Sequence, residues 1–292
     1  MNRKMKRQLR IHAAAMTLLA AALLAGCGGA GNSSAWDAEE SVRASDRLLP
    51  DMVAANWSVA GEASPDGAKE SLIRIELVKK DGTPVESFEI THEKLLHLIV
   101  VSKDLSYFNH IHPEYAGEGA FEIANAFPGG GEYRMIADFK PSGGDAMTKL
   151  AWVTVAGDPT PPGLDAEDVK RSESAGAPGS ETVIAGSLRI TLALPPEGLT
   201  AGEEAQLSFT LTDAAAGDPV SDLEPYLGAI GHVVALSADG ERYVHIHAGK
   251  DQGTGPDAQF EAVFPKSGTY KLWAQFRRNG AVVTGSFAVQ VN

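Results

Sequence analysis

The sequence predicts an all-β protein in which one sandwich-sized module occurs twice. Three observations carry this. Beyond the N-terminal segment, short runs of β-branched and aromatic residues alternate with Gly, Pro and Asp turns, and helical periodicity is scarce. A shift of 135 residues lays Leu72 on Leu207, Gly82 on Gly217 and Pro84-Val85 on Pro219-Val220. Each half also carries the run Phe-Pro-x-x-Gly-x-Tyr, at 127–133 and again at 264–270.

The N-terminus comes first. Arg3, Lys4, Lys6, Arg7 and Arg10 precede an apolar stretch over 13–24 that is broken only by Thr17. That stretch is too short for a bilayer core, which takes about 20 apolar residues. A basic start, a short apolar core and small residues at its end read as a secretory signal. Leu24-Ala25-Gly26-Cys27 resembles the lipobox of bacterial lipoprotein signals, which implies that Cys27 becomes the acylated first residue of the mature chain. Cys27 is the only cysteine, so no internal disulfide is available, and a free thiol outside the cell would be open to oxidation. Residues 1–26 are therefore assigned to a signal peptide and 27–47 to a lipid anchor and flexible spacer.

Composition limits the partners. The formal charge of the 292-residue chain is −13, and the five signal charges are all basic, so the mature part stands at about −18 (20 Lys+Arg against 38 Asp+Glu). Such a balance argues against nucleic acid and against attraction to anionic lipid, leaving the lipid anchor as the membrane contact.

Within the body, strand patterns fall at 72–78, 95–101, 133–139, 183–194, 206–212 and 281–291. A stretch rich in Pro, Gly, Ser and acids separates the halves. The expected organisation is a first β-sandwich domain over 48–157, a linker over 158–180 and a second β-sandwich domain over 181–292. After a two-residue length change, Tyr133 aligns with Tyr270 and Phe139 with Phe276, so an internal duplication is the economical explanation. A Gly turn followed by a Tyr at the start of a late strand resembles the tyrosine corner of immunoglobulin-like sandwiches. The fold class is thus two tandem immunoglobulin-like β-sandwich domains.

Six of the eight histidines fall in duplicated sets, His97/His110/His112 and His232/His245/His247. Asp239-Gly240 lies between two apolar runs and reads as a two-residue hairpin turn. Counting outward from it puts His232 opposite His247, with His245 two residues along on the same face. Opposed Cβ atoms lie about 5 Å apart and diagonal ones about 7–8 Å, close enough for three imidazoles to share one ion. Asp104-Leu105 occupies the same place in the first copy. Imidazole suits copper(II) or zinc, whereas Cu(I) would want Cys or Met, and there is no second Cys. His92, Glu114 and Asp251 lie near enough in sequence to add or orient a ligand. The competing expectation is structural: Val234, Leu236 and Tyr243 share the histidine face, which puts the imidazoles at the margin of a core.

The pattern His, hairpin, His-x-His, then Phe-Pro-x-x-Gly-x-Tyr resembles YtkA-like domains of bacterial secreted proteins and lipoproteins, and is loosely similar to CopC-type copper-binding sandwiches. The resemblance implies an immunoglobulin-like fold. The CopC mode of using a free N-terminal histidine does not carry over, because here the mature terminus is Cys27. No phosphate loop, Ser nucleophile motif or paired carboxylates stand out, so no enzyme is expected. The expectation is an extracytoplasmic lipoprotein anchored to a bacterial cell membrane, binding a transition metal or an envelope protein partner. Its alternative is a non-catalytic structural or protein-interaction module whose histidines are structural. The Trp152 and Trp273 side chains are expected in cores, with Trp36 and Trp57 packing on the first domain.

Overall fold

A computed structural model describes residues 47–64, 69–159, 180–250 and 252–292, all within one compact unit. The signal peptide, Cys27, Trp36, nearly all of the spacer, most of the linker and Asp251 lie outside the described residues.

The first module runs through β1 (Val53–Ala60), β2 (Ser71–Lys79), β3 (Phe88–Glu89), β4 (Leu96–Ser102), β5 (Phe108–Ile111), β6 (Glu114–Gly117), β7 (Ala120–Asn125), β8 (Gly131–Pro141) and β9 (Met147–Val155). One sheet has the order β1-β2-β7-β6, and the facing sheet has β3-β8-β4-β5 with β9 also on β8. The second module has β10 (Ser180–Ala185), β11 (Leu188–Ala193), β12 (Glu204–Asp213), β13 (His232–Ser237), β14 (Tyr243–Ala248), β15 (Asp257–Val263), β16 (Gly268–Arg278) and β17 (Ala281–Val291). Its strands form one continuous sheet in the order β10-β11-β12-β15-β14-β13-β16-β17. This is the expected all-β tandem sandwich.

One residue explains why the modules differ in continuity. β14 runs unbroken through His247-Ala248 and pairs with β15, whereas the equivalent stretch in the first module is cut into β5 and β6 at His112-Pro113. Proline has no N–H to give a ladder and fixes φ, so the strand ends there. A second difference corrects an expectation. The 183–194 run is not one strand but the hairpin β10–β11, turning at Gly186 (φ 54) with Ala185 opposite Leu188.

Alternation builds each interior. Ile73, Ile75 and Leu77 of β2 point into the first core, and Leu188, Ile190 and Leu192 of β11 into the second. The tyrosine corner is present in both copies: Tyr133 Oη donates to the Gly129 carbonyl at 2.6 Å, and Tyr270 Oη to the Lys266 carbonyl at 3.0 Å.

The histidine hairpins have the expected register but a wider loop. Val233 pairs with Ile246 and Leu98 with Ile111, the pairings obtained by counting from the turns. The loops have four residues rather than two. In the second, Gly240 N–H donates to the Ser237 carbonyl at 2.7 Å and Ser237 N–H to Arg242 at 2.9 Å; Leu105 and Ser102 repeat both bonds in the first.

β4 and β13 are buried on both faces. Leu96, Leu98 and Val100 line the first core, while Ile99 and Val101 join Ile136, Val234, Leu236 and Trp273 in a third core between the modules. The histidine faces of the two modules therefore pack against each other. Contacts across this seam are reciprocal. Arg134 pairs with Glu241 at 3.1 Å, and its counterpart Lys271 donates to the Leu105 carbonyl at 2.7 Å. Phe108 stacks on Trp273 with centroids 4.8 Å apart. A Cβ on Gly240 (φ 73) would come within 2.5 Å of the half-buried Trp152 ring, so glycine is required there for clearance as well as conformation. The expectation for Trp273 holds, and Trp57 packs at the edge of the first core. Docking two duplicated surfaces in this reciprocal way is the intrachain counterpart of an isologous dimer interface.

Candidate functional site

All seven described histidines meet at this seam in one continuous chain of ring contacts. Alternation puts His97 and His232 on the outward faces of β4 and β13, and the hairpin registers bring β5 and β14 alongside. The modules' docking then closes the two sets on each other. His232 is one link, with its ring centroid 4.8 Å from His110 in the first module and 4.8 Å from His245 in its own, and His92 is another.

Two groups offer donor atoms to a common point, each set lying within 4.8 Å of one another: His97/His110/His112 and His92/His245/His247. The first is one of the expected triads. The second is not, because His92 of the first module takes the place expected for His232. The ring of His232 instead lies parallel to that of His97, and its Nε2 is buried without a partner. Glu114 is exposed and belongs to neither group.

The orientation of the Gln275 amide sets the proton arrangement of the buried triad. His97 Nε2 lies 3.0 Å from the Thr91 carbonyl oxygen, which can only accept, so Nε2 carries the hydrogen and Nδ1 the lone pair. His110 Nδ1 lies 2.8 Å from Gln275 Oε1, while the same amide donates through Nε2 to Thr284 Oγ1 at 3.2 Å. His110 therefore donates through Nδ1 and presents its own lone pair on Nε2. The two lone pairs face each other at 3.2 Å. An ion bound tetrahedrally at 2.0–2.1 Å sets its nitrogens about 3.3 Å apart, so this spacing is that of two ligands on one cation. The Nε2 of His112 is buried without a partner. Exchanging O and N of the Gln275 amide converts the same groups into a neutral relay, Gln275 to His110 to His97 to Thr91; relay and ion are alternatives.

Electrostatics keep these rings neutral. Burial, then the Gln275 bond acting the other way and the neighbouring histidines, bring His110 down to about 3. Burial and His97 bring His112 down to about 4. Burial followed by the His110 and His245 rings puts His232 well below the ordinary imidazole range, and burial also lowers His97, His92 and His247. Neutral imidazole is the form that ligates metal.

The open group has a different backing. His245 Nδ1 lies 3.3 Å from the half-buried Asp138 carboxylate, which Thr148 and Tyr243 also hold. Burial would raise the Asp138 carboxyl, but the bonds from His245, Thr148 and Tyr243 outweigh it and hold it below the usual range. Asp138 and Thr148 occupy the places of Gln275 and Thr284 across the seam. Fold and site together define a tandem immunoglobulin-like protein with a histidine-filled intermodule seam.

The chain belongs to the family described as "Domain of unknown function (DUF8832)", whose model matches twice, over residues 53–157 and 182–292. Among curated proteins, none matches. Solved structures similar to the chain include a DUF4426 family protein from Pseudomonas aeruginosa, at 12% identity and TM-score 0.28, with 38% of this chain and 94% of that one covered. They also include the Escherichia coli adhesin FdeC, at 17% identity and TM-score 0.26, with 82% of this chain and 64% of the adhesin, less than two thirds of its length. Fibronectin(III)-like modules of Clostridium thermocellum CbhA match at 16% identity and TM-score 0.21, with 82% and 93% covered. Likeness at this level carries nothing about ligand or partner, and none of these is a YtkA-like or CopC-type protein.

Proposed function

We propose that this chain is a non-catalytic lipoprotein of the bacterial envelope, held to the membrane by lipid on Cys27, whose histidine seam joins its two modules and binds a transition-metal ion. The buried triad His97/His110/His112 is the leading site, and copper(II) or zinc is the ion its all-imidazole donor set favours. One observation carries this: His97 Nδ1 and His110 Nε2 face each other at 3.2 Å while the far nitrogen of each ring bonds a carbonyl oxygen, an arrangement that presents two lone pairs to an ion. Carbonyls backing ligand imidazoles are the usual outer support of a metal site. The YtkA-like resemblance and the lipobox remain the support for the envelope location.

A second reading has its own observation. His110 bonds Gln275 and His245 bonds Asp138, both across the seam, so the histidines brace the modules whether or not an ion is present. In that reading the chain is a structural or interaction module for an envelope protein.

Titrating the full-length protein with zinc(II) and, separately, copper(II) distinguishes the two. The metal reading expects uptake by the wild type and loss of one equivalent in His110→Gln, with the fold retained by circular dichroism. Absence of uptake by a folded wild type sinks the metal reading and leaves the brace.

A further inference from the structure

We propose that His92, His245 and His247 form a second metal site, assembled from both modules and open to solvent, whose ion ties the modules together. The inference rests on the metal reading above, but on different residues. His245 and His247 come from β14 of the second module, while His92 comes from the turn before β4 of the first. The His92 ring lies 5.1 Å from His245, and His245 lies 5.0 Å from His247.

Three features set this group apart from incidental crowding. The first is orientation. The Nδ1 of His245 is engaged by the carboxylate of Asp138, leaving Nε2 as the donor, in the carboxylate–histidine–metal arrangement that fixes a ligand ring and raises its basicity.

The second is backbone conformation. His92 (φ 47) and Glu93 (φ 67) both occupy the left-handed region, which non-glycine residues adopt only at a cost in strain. The duplicate turn has the same shape, with Leu227 (φ 55) and Gly228 (φ 78), and Tyr226 and Ala229 bridge there as Thr91 and Lys94 do here. Relaxed residues for such a turn are Asn and Gly. The first module instead places an imidazole on the strained position and directs it at the other module's two histidines. Leu227, its counterpart, is buried.

The third is access. His92 and His247 are exposed and line a cleft of about 490 Å³ that also includes Glu224, Ile230 and Lys250. With His92 and His247 on this mouth and His245 behind them, a coordination position faces the cleft, where water or an incoming donor binds. This is the layout of an exchangeable ion rather than a closed structural one. Because its ligands come together only when the modules are docked, the ion stabilises the docked state by mass action.

The test uses His92→Asn in the full-length protein. Asparagine tolerates the left-handed turn and is a poor ligand for zinc(II) or copper(II), so the fold holds while the site is lost. The wild type is expected to take up two equivalents of zinc(II), His92→Asn one, and His110→Gln the other one. The zinc-dependent rise in melting temperature is expected to be smaller in His92→Asn than in the wild type. Two equivalents retained by His92→Asn would overturn the second site. One equivalent in the wild type that His110→Gln removes and His92→Asn leaves also overturns it, while sparing the buried site. No uptake by the wild type overturns both.

Discussion

The buried and the open triad descend from one duplicated hairpin, yet they are not copies of each other. His97, His110 and His112 all belong to the first module. His245 and His247, the partners of His110 and His112, close instead on His92 from across the seam. The backing differs too: Gln275, a neutral amide, supports His110, and Asp138, a carboxylate, supports His245. Duplication therefore set the residue types, and later divergence at His92, Asp138 and Gln275 gave each triad its own surroundings. Burial of the first donor set favours retention of an ion and exposure of the second favours exchange, while the Asp138 carboxylate strengthens the second set's hold.

The largest expected contrast is with pH. In the metal-free protein, His110 and His112 stay neutral down to about 3 and 4, while in the unfolded chain an imidazole protonates near 6.5. The unfolded chain thus binds more protons as pH falls. Stability is full above about 6.5, declines below it at about 1.4 kcal/mol per pH unit per group, and levels off near 4 for His112 and near 3 for His110. Denaturant melts between pH 7 and 4 should show this fall, with ring NMR signals of His110 and His112 unmoved above pH 5. Ordinary imidazole titration at either ring would break the contrast in burial.

Separating the modules comes next. Leu236 is buried in the third core, so Leu236→Asp places an unpaired charge there, at about 3–5 kcal/mol. Because the buried triad lies within one module, that chain should expand by small-angle scattering and still bind one equivalent of zinc(II). Loss of both equivalents with the first module folded would show that the buried triad also needs the second module.

The smallest effect is the most local. Asp138→Asn keeps shape but removes the anion behind His245. Zinc(II) affinity at the open triad should fall about 10–100-fold, with the buried triad unchanged. Equal weakening at both would mean that the seam responds as one unit.

Much of this was legible in the chain. The 135-residue shift exposes the two modules, and counting from Asp239-Gly240 yields the register observed between Val233 and Ile246. The Phe-Pro-x-x-Gly-x-Tyr runs anticipate both tyrosine corners. Leu96–Ser102 and His232–Ser237 are apolar on both faces, a sign that the histidine side is covered too. The wider loops escaped, because Gly240 N–H and Leu105 N–H bond one turn back and neither sequence signals it. His92 also escaped. It aligns with Leu227, so a search for shared histidines passes over it, and its left-handed turn carries neither Asn nor Gly to mark it.

By itself, the sequence determined what is local or periodic: strand alternation, hairpin register, corner tyrosines and the absence of any thiol but Cys27. These follow from backbone geometry, which reaches a few residues along the chain. Only the tertiary structure decided that the two histidine faces meet, that His232 bridges them and that His92 completes a triad with the other module. Those contacts join residues more than a hundred positions apart, and they depend on how two apolar faces dock, which no local pattern encodes.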